Sequence, residues 1–101
     1  MTNKIKLHGG PEKTVTWVWL DDHGQLKIEF YDFSELAQQM FGNDIAYMIT
    51  VNEMDKLFSA AKQIATSLIP WLTQNFESYF GIKKWLEENE VGFGIERESW
   101  A

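Results

Sequence analysis

The chain has no cysteine. That excludes disulfide staples, thiolate metal sites and cysteine nucleophiles together, and it suits a reducing compartment. Histidine is almost as scarce, with only His8 and His23. His23 follows Asp21 and Asp22, but a metal site needs three or four converging ligands and nothing else at short range supplies them. Neither a metal nor a cofactor is therefore expected. Basic residues are few, nine against fifteen acids. Nucleic-acid binding draws most of its affinity from a basic stripe that displaces counterions, so a nucleic-acid partner is not expected. No apolar run approaches the roughly 20 residues of a membrane span, and none follows the N-terminal lysines as in a secretory signal. The expectation is a cytoplasmic protein with no membrane partner.

Catalytic signatures are missing too. No Gly-x-Ser-x-Gly elbow occurs, and no Gly-Lys-Ser/Thr follows the glycines at 9 and 10. Ser34 suits a helix cap, while Ser59 and Ser67 fall in helical segments. Close carboxylate pairs such as Asp21/Asp22 and Glu87/Glu88 arise by chance among fifteen acids. The chain does not read as an enzyme.

What is present is a 101-residue, 45% hydrophobic chain, which fits one domain over residues 1–101. Five tryptophans among fifteen aromatics supply rings both for a core and for anchoring an interface. The net charge of −6 is unevenly spread. Residues 21–55 carry eight acids against Lys27 alone, and residues 87–98 carry five acids against Arg97. The stretches 1–14 and 56–86 are net positive. A field of one sign can steer a basic partner into place.

The hydrophobic pattern outlines the fold. Val15, Trp17 and Trp19 alternate with polar or smaller residues, as do Leu26, Ile28 and Phe30, which is the period of a strand. Asp21-Asp22-His23-Gly24 between them is a turn cluster, so residues 14–31 read as a hairpin. A loop of two or four residues puts both apolar sets on one face; with four, Trp19 meets Leu26 and Trp17 meets Ile28. An odd loop would set Trp19 against Lys27. Ser34 caps an expected short helix carrying Glu35, Leu36 and Met40, which Gly42 ends. Residues 45–51 are almost wholly apolar and suit a central strand buried on both faces. From Asn52, Leu57, Phe58, Ala61, Ile64, Ala65 and Leu68 recur at helical spacing, until Pro70 stops or kinks the helix. Two more helical pieces, Trp71 to Phe80 and Ile82 to Asn89, are expected on either side of Gly81. A last strand runs from Val91 toward Trp100, and residues 5–8 read as an edge strand. The fold class is α+β: an antiparallel or mixed sheet with helices packed on one face.

Carboxylates interleaved with aromatics are the remaining chemistry. Asp32 lies between Tyr31 and Phe33, and Asp44 precedes Tyr47. Carboxylates held on ordered backbone beside rings receive Lys and Arg of a partner well. The candidate partner-binding residues are Asp21, Asp22, Asp32, Glu35, Asp44, Tyr47, Glu53 and Asp55. Each has an ordinary alternative: a solvated surface carboxylate for the acids in general, turn or cap duty for Asp32 and Asp44 in particular, and core packing for Tyr47.

The runs Trp17 to Gly24, Tyr31 to Ser34 and, most specifically, Phe41-Gly42-Asn43-Asp44-Ile45-Ala46-Tyr47 resemble small bacterial immunity proteins of contact-dependent growth inhibition systems. The closing Glu88-Asn89-Glu90-Val91, with Phe93 and Ser99-Trp100, is similar too. The resemblance implies a cytoplasmic monomer that binds, one to one, the C-terminal toxin domain delivered by a neighbouring cell. Such toxins are often nucleases, including ribonucleases, whose phosphate-holding clefts are basic. The alternative is a structural or adaptor subunit, or a self-associating protein, without catalysis.

Overall fold

The structure is a computed structural model and describes residues 4–10, 13–33 and 44–100. Five strands form one antiparallel sheet in sequence order: β1 (Ile5–Leu7), β2 (Thr14–Leu20), β3 (Leu26–Asp32), β4 (Asp44–Val51) and β5 (Phe93–Trp100). Between β4 and β5 run helices α1 (Met54–Ala61), α2 (Ala65–Asn75) and α3 (Tyr79–Glu88). The architecture is the expected α+β sheet-and-helix layer, with the sheet wholly antiparallel. The short helix expected from Ser34 to Gly42 lies outside the described residues.

The β2–β3 connection corrects the expected register. Five residues, 21–25, separate the strands, and the Asp21 N–H donates to the Gln25 carbonyl at 3.0 Å. The loop proper is therefore the odd three, 22–24, with Gly24 left-handed at φ 74°. Asp21 Oδ1 accepts from the N–H groups of both His23 and Gln25 at 2.9 Å, and this stabilises that turn over a four-residue one. Trp19 consequently pairs with Lys27 and Trp17 with Glu29, while Val18 meets Ile28 and Thr16 meets Phe30. A one-residue change of register exchanges faces. The core thus takes Val18 and Thr16 from β2, and both tryptophans lie on the opposite face of the sheet.

Val18, Leu26, Ile28, Phe30, Ile49 and Val51 form the sheet side of the core, against Leu57, Leu68, Leu72, Tyr79, Ile82 and Leu86 from the helices. β4 is interior, as its apolar run requires. Ile49 faces the helices with no exposure, and Ala46, on the other face, is only 2% exposed.

The long helix expected from Asn52 is two helices. Lys62 adopts a left-handed conformation, φ 56°, and its N–H and that of Gln63 converge on the Phe58 carbonyl, ending α1. Ser67 Oγ then accepts from the Ile64 N–H at 3.1 Å and starts α2. Pro70 sits inside α2 instead of stopping it. Pro70 and Thr66, whose carbonyl loses its helical donor, are both exposed, so water can serve that oxygen. Gly81 likewise sits within α3 and does not interrupt it.

α3 is tied to the sheet by a polar contact. Ser78 precedes it in extended conformation and makes no side-chain cap. The Tyr79 N–H instead donates to Thr16 Oγ1 at 2.9 Å, from a threonine only 1% exposed on the core face of β2. Tyr79 then packs its ring against Phe30, at 5.1 Å between centroids. Burial pushes its phenol above the ordinary value, and Tyr47 and Glu87 add to the effect.

Candidate binding surface

The antiparallel meander decides which acids meet. The β2–β3 turn and the β4–α1 corner lie at the same end of the sheet. Gln25 Nε2 donates to the Val51 carbonyl at 3.3 Å, and the Leu26 N–H reaches Met54 Sδ at 3.3 Å. Asp21, Asp22, Glu53 and Asp55 are thereby gathered at one end, although they come from two separate stretches of chain. The α3–β5 turn joins them: the Asn52 and Glu53 N–H groups donate to the Gly92 carbonyl at 2.9 and 3.2 Å. That contact brings up Glu90, which the residue-by-residue reading left out. Its membership of the second acidic block was the available signal; the strand pairing that closes the two blocks together was not readable.

Two of these acids hold the fold. Asp21 fastens the hairpin turn, and its Oδ2 lies 4.0 Å from Lys27 Nζ. The backbone N–H of Gln25 is the main cause that holds its carboxyl below the ordinary value; burial opposes it, and His23 and Lys27 assist. Glu53 Oε1 accepts from the Gly92 N–H at 2.8 Å, clipping the exit of β4 to the start of β5, and its Oε2 lies 3.8 Å from Lys56 Nζ. A Cβ on Gly92 would fall 2.5 Å from Glu53 Oε1, so the clip needs glycine there. Asp22, Asp55 and Glu90 are different. All three are exposed, and among the described residues no ion pair or hydrogen bond engages their carboxylates. Beside Asp55 a shallow hollow of about 350 Å³ is lined by Asn52, Glu53, Met54, Asp55 and Lys56.

The other candidates lie elsewhere. Asp32 ends β3 opposite Ile45, six residues from Leu26, which places it about 20 Å from the turn at roughly 3.3 Å per residue. Asp44 opens β4 at that same far end. Tyr47 is a half-buried core ring, stacked on Phe30 and Tyr79 at 6.3 and 6.4 Å. Glu35 lies outside the described residues. The described acids of 21–55 therefore do not form one continuous face: Asp21, Asp22, Glu53 and Asp55 lie at one end of the sheet, Asp32 and Asp44 at the other, and Glu29 in mid-strand between them.

The face of the sheet away from the helices carries Trp17, Trp19, Tyr31, Phe33 and Met48 among charged residues. Lys4 Nζ stands 4.4 Å from the Trp19 ring centroid and 3.6 Å from Glu29, so a cation covers that ring. Phe33 is 45% exposed. At the Asp32 end, a hollow of about 450 Å³ is lined by Lys6, His8, Gly9, Thr73, Phe76 and Glu77 among others. Among the described residues no group of three or more His, Cys, Asp or Glu residues converges as a metal set. No helix among them is long and apolar enough to cross a membrane.

Comparison with protein-family models, curated proteins and solved structures finds no match to this chain.

Proposed function

We propose that this chain is an immunity protein that binds and neutralises the C-terminal toxin domain of a contact-dependent growth inhibition system, offering the acidic end of its sheet to a basic surface of the toxin. The observation that supports the reading is the placement of Asp22 and Asp55. They arise from separate connections, are brought to one end by the β3–β4 pairing, and have carboxylates not consumed by the fold. Each is mounted on backbone that a neighbouring acid pins, Asp21 in the turn and Glu53 in the clip. An ordered carboxylate loses little freedom when it receives an arginine or lysine, and hydrogen bonds between charged groups are the strong ones. A nuclease cleft, positive because it holds phosphates, is a partner of fitting sign. The resemblance of residues 41–47 and their flanking runs adds the biological setting.

The test is association with the toxin domain encoded beside this protein. A tight one-to-one complex is expected, forming more slowly as salt rises because screening removes steering. The double variant Asp22→Asn/Asp55→Asn should lower the association rate by about threefold to tenfold at low salt, with a smaller effect on dissociation. Absence of any complex refutes the immunity reading. A complex whose association ignores both salt and the double variant refutes the role of the acidic end.

A further inference from the structure

We propose that Met54 is a redox-sensitive modification site: a peroxide converts its thioether to the sulfoxide, parts the β4–α1 corner from the β2–β3 turn and so loosens the hold of the acidic end on a basic partner. The proposal rests on reading that end as the binding surface, and it names how the surface is regulated.

Met54 stands where the two acid-bearing connections meet. The β3–β4 ladder stops at Lys27 and Thr50. Beyond it, Gln25 Nε2 donates to the Val51 carbonyl and the Leu26 N–H to Met54 Sδ, each at 3.3 Å, and these contacts join turn to corner. Met54 is the first residue of α1, between Glu53 and Asp55. Glu53, at the N-cap, makes no side-chain cap, and its carboxylate serves the Gly92 N–H instead. The sulfur ties the first turn of α1 to the start of β3.

The residue is also placed to react. Met54 packs against the core, is only half-buried, and lines the hollow of about 350 Å³ beside Asp55. That hollow gives a small oxidant an approach from solvent. With no cysteine in the chain, methionine is its readiest side chain for two-electron oxidation. Met48, by contrast, pairs with Glu29 in mid-strand, away from this end. In the reaction the sulfur lone pair attacks one peroxide oxygen and the O–O bond breaks. The departing hydroxide takes the proton from the transferred oxygen, leaving the sulfoxide and water. Sulfur loses two electrons and the peroxide gains them.

The consequence follows from the packing. Leu26 is fully buried, and its N–H already lies against the sulfur. An added oxygen either separates the two or turns the sulfur away. A polar sulfoxide also no longer suits the core beneath it. Both effects move the first turn of α1, with Asp55, off the turn that carries Asp22. The carboxylates keep their charge, so steering persists. Their spacing is no longer fixed, so a partner held by both has more freedom to arrest and is released sooner.

Hydrogen peroxide treatment of the folded full chain tests this. Peptide mass mapping should place an added oxygen on Met54. Amide exchange at Leu26 should quicken about tenfold and recover after methionine sulfoxide reductase. In Met54→Leu, which keeps the other three methionines, the same treatment should leave Leu26 exchange unchanged. The oxidised protein should leave the toxin domain about tenfold faster, with association and its salt dependence preserved. An unoxidised Met54, unaltered or slower exchange at Leu26, or an equal response in Met54→Leu overturns the proposal. If no toxin complex forms, the immunity reading fails, while the mass and exchange results still decide the strut. A complex that depends on the Asp22/Asp55 pair and ignores oxidation of Met54 removes this proposal alone.

Discussion

Replacing Thr16 by valine should cost the protein about 1–2 kcal/mol, although the two side chains have nearly the same shape. The hydroxyl of Thr16 is buried, and its Oγ1 receives the first N–H of α3 at 2.9 Å. Ser78 supplies no side-chain cap, so this donor depends on the sheet. Valine leaves it unpaired in an apolar setting, which costs about 1–3 kcal/mol. Burying a methyl in place of the hydroxyl returns up to about 1 kcal/mol. Thr16→Ser is the control. It keeps the acceptor and deletes one methyl, at about 1 kcal/mol with its small cavity. Urea unfolding should show the midpoint of the valine variant lowered by about 1 M with the slope unchanged. Amide exchange should quicken at Tyr79 in the valine variant and not in the serine variant. A valine variant as stable as the parent chain would refute the argument that the sheet caps this helix.

Gly81→Ala should stabilise the protein by about 0.5–1 kcal/mol, because glycine is a poor helix residue. A Cβ there meets only Phe76 Cδ1 at 3.5 Å, an ordinary contact. Thermal unfolding reads the gain, and a loss would mean that α3 breaks at this point. Asp21→Asn keeps the oxygen that accepts from His23 and Gln25, so it isolates the charge. Because folding lowers the carboxyl pKa, the contribution of the charge is full above the unfolded value near 3.8 and is lost as pH falls through the lower folded value. The stability difference between parent and variant should be constant near neutrality and vanish in acid. Chemical denaturation across that range measures it, and a difference that grows on acidification would contradict the turn geometry.

The strands were legible because their patterns are local. Residues 45–51 announce an interior strand by being apolar on both faces, and the alternation of 26–30 sets its core face. The faces of β2 were not legible. Val15, Trp17 and Trp19 form the more hydrophobic row, yet the core takes Thr16 and Val18. Side-chain hydrogen bonds in one turn decide that outcome, and hydropathy carries no trace of them. The helix boundaries failed for a similar reason. Periodicity ran smoothly from Leu57 through Leu68, but a left-handed lysine at position 62 broke it. At the candidate surface, the sequence identified the acidic block and could not divide it. Only strand pairing separates Asp22 and Asp55 from Asp32 and Asp44, and only hydrogen bonds separate Asp21 and Glu53, which brace the fold, from Asp22 and Asp55, whose carboxylates no described residue engages.

The order of the strands also bears on how the chain acquires its shape. β2 and β3 are joined by five residues, whereas the 41 residues from 52 to 92 separate β4 from β5. Closing the longer loop costs about 2 kcal/mol more in chain entropy. The hairpin can therefore form early, while the C-terminal strand must wait for the helices to shorten the path back to β4. Until then the growing sheet ends at β4, whose apolar rim is a hazard for misassociation in a crowded cell. The segment that covers it is synthesised only after all three helices.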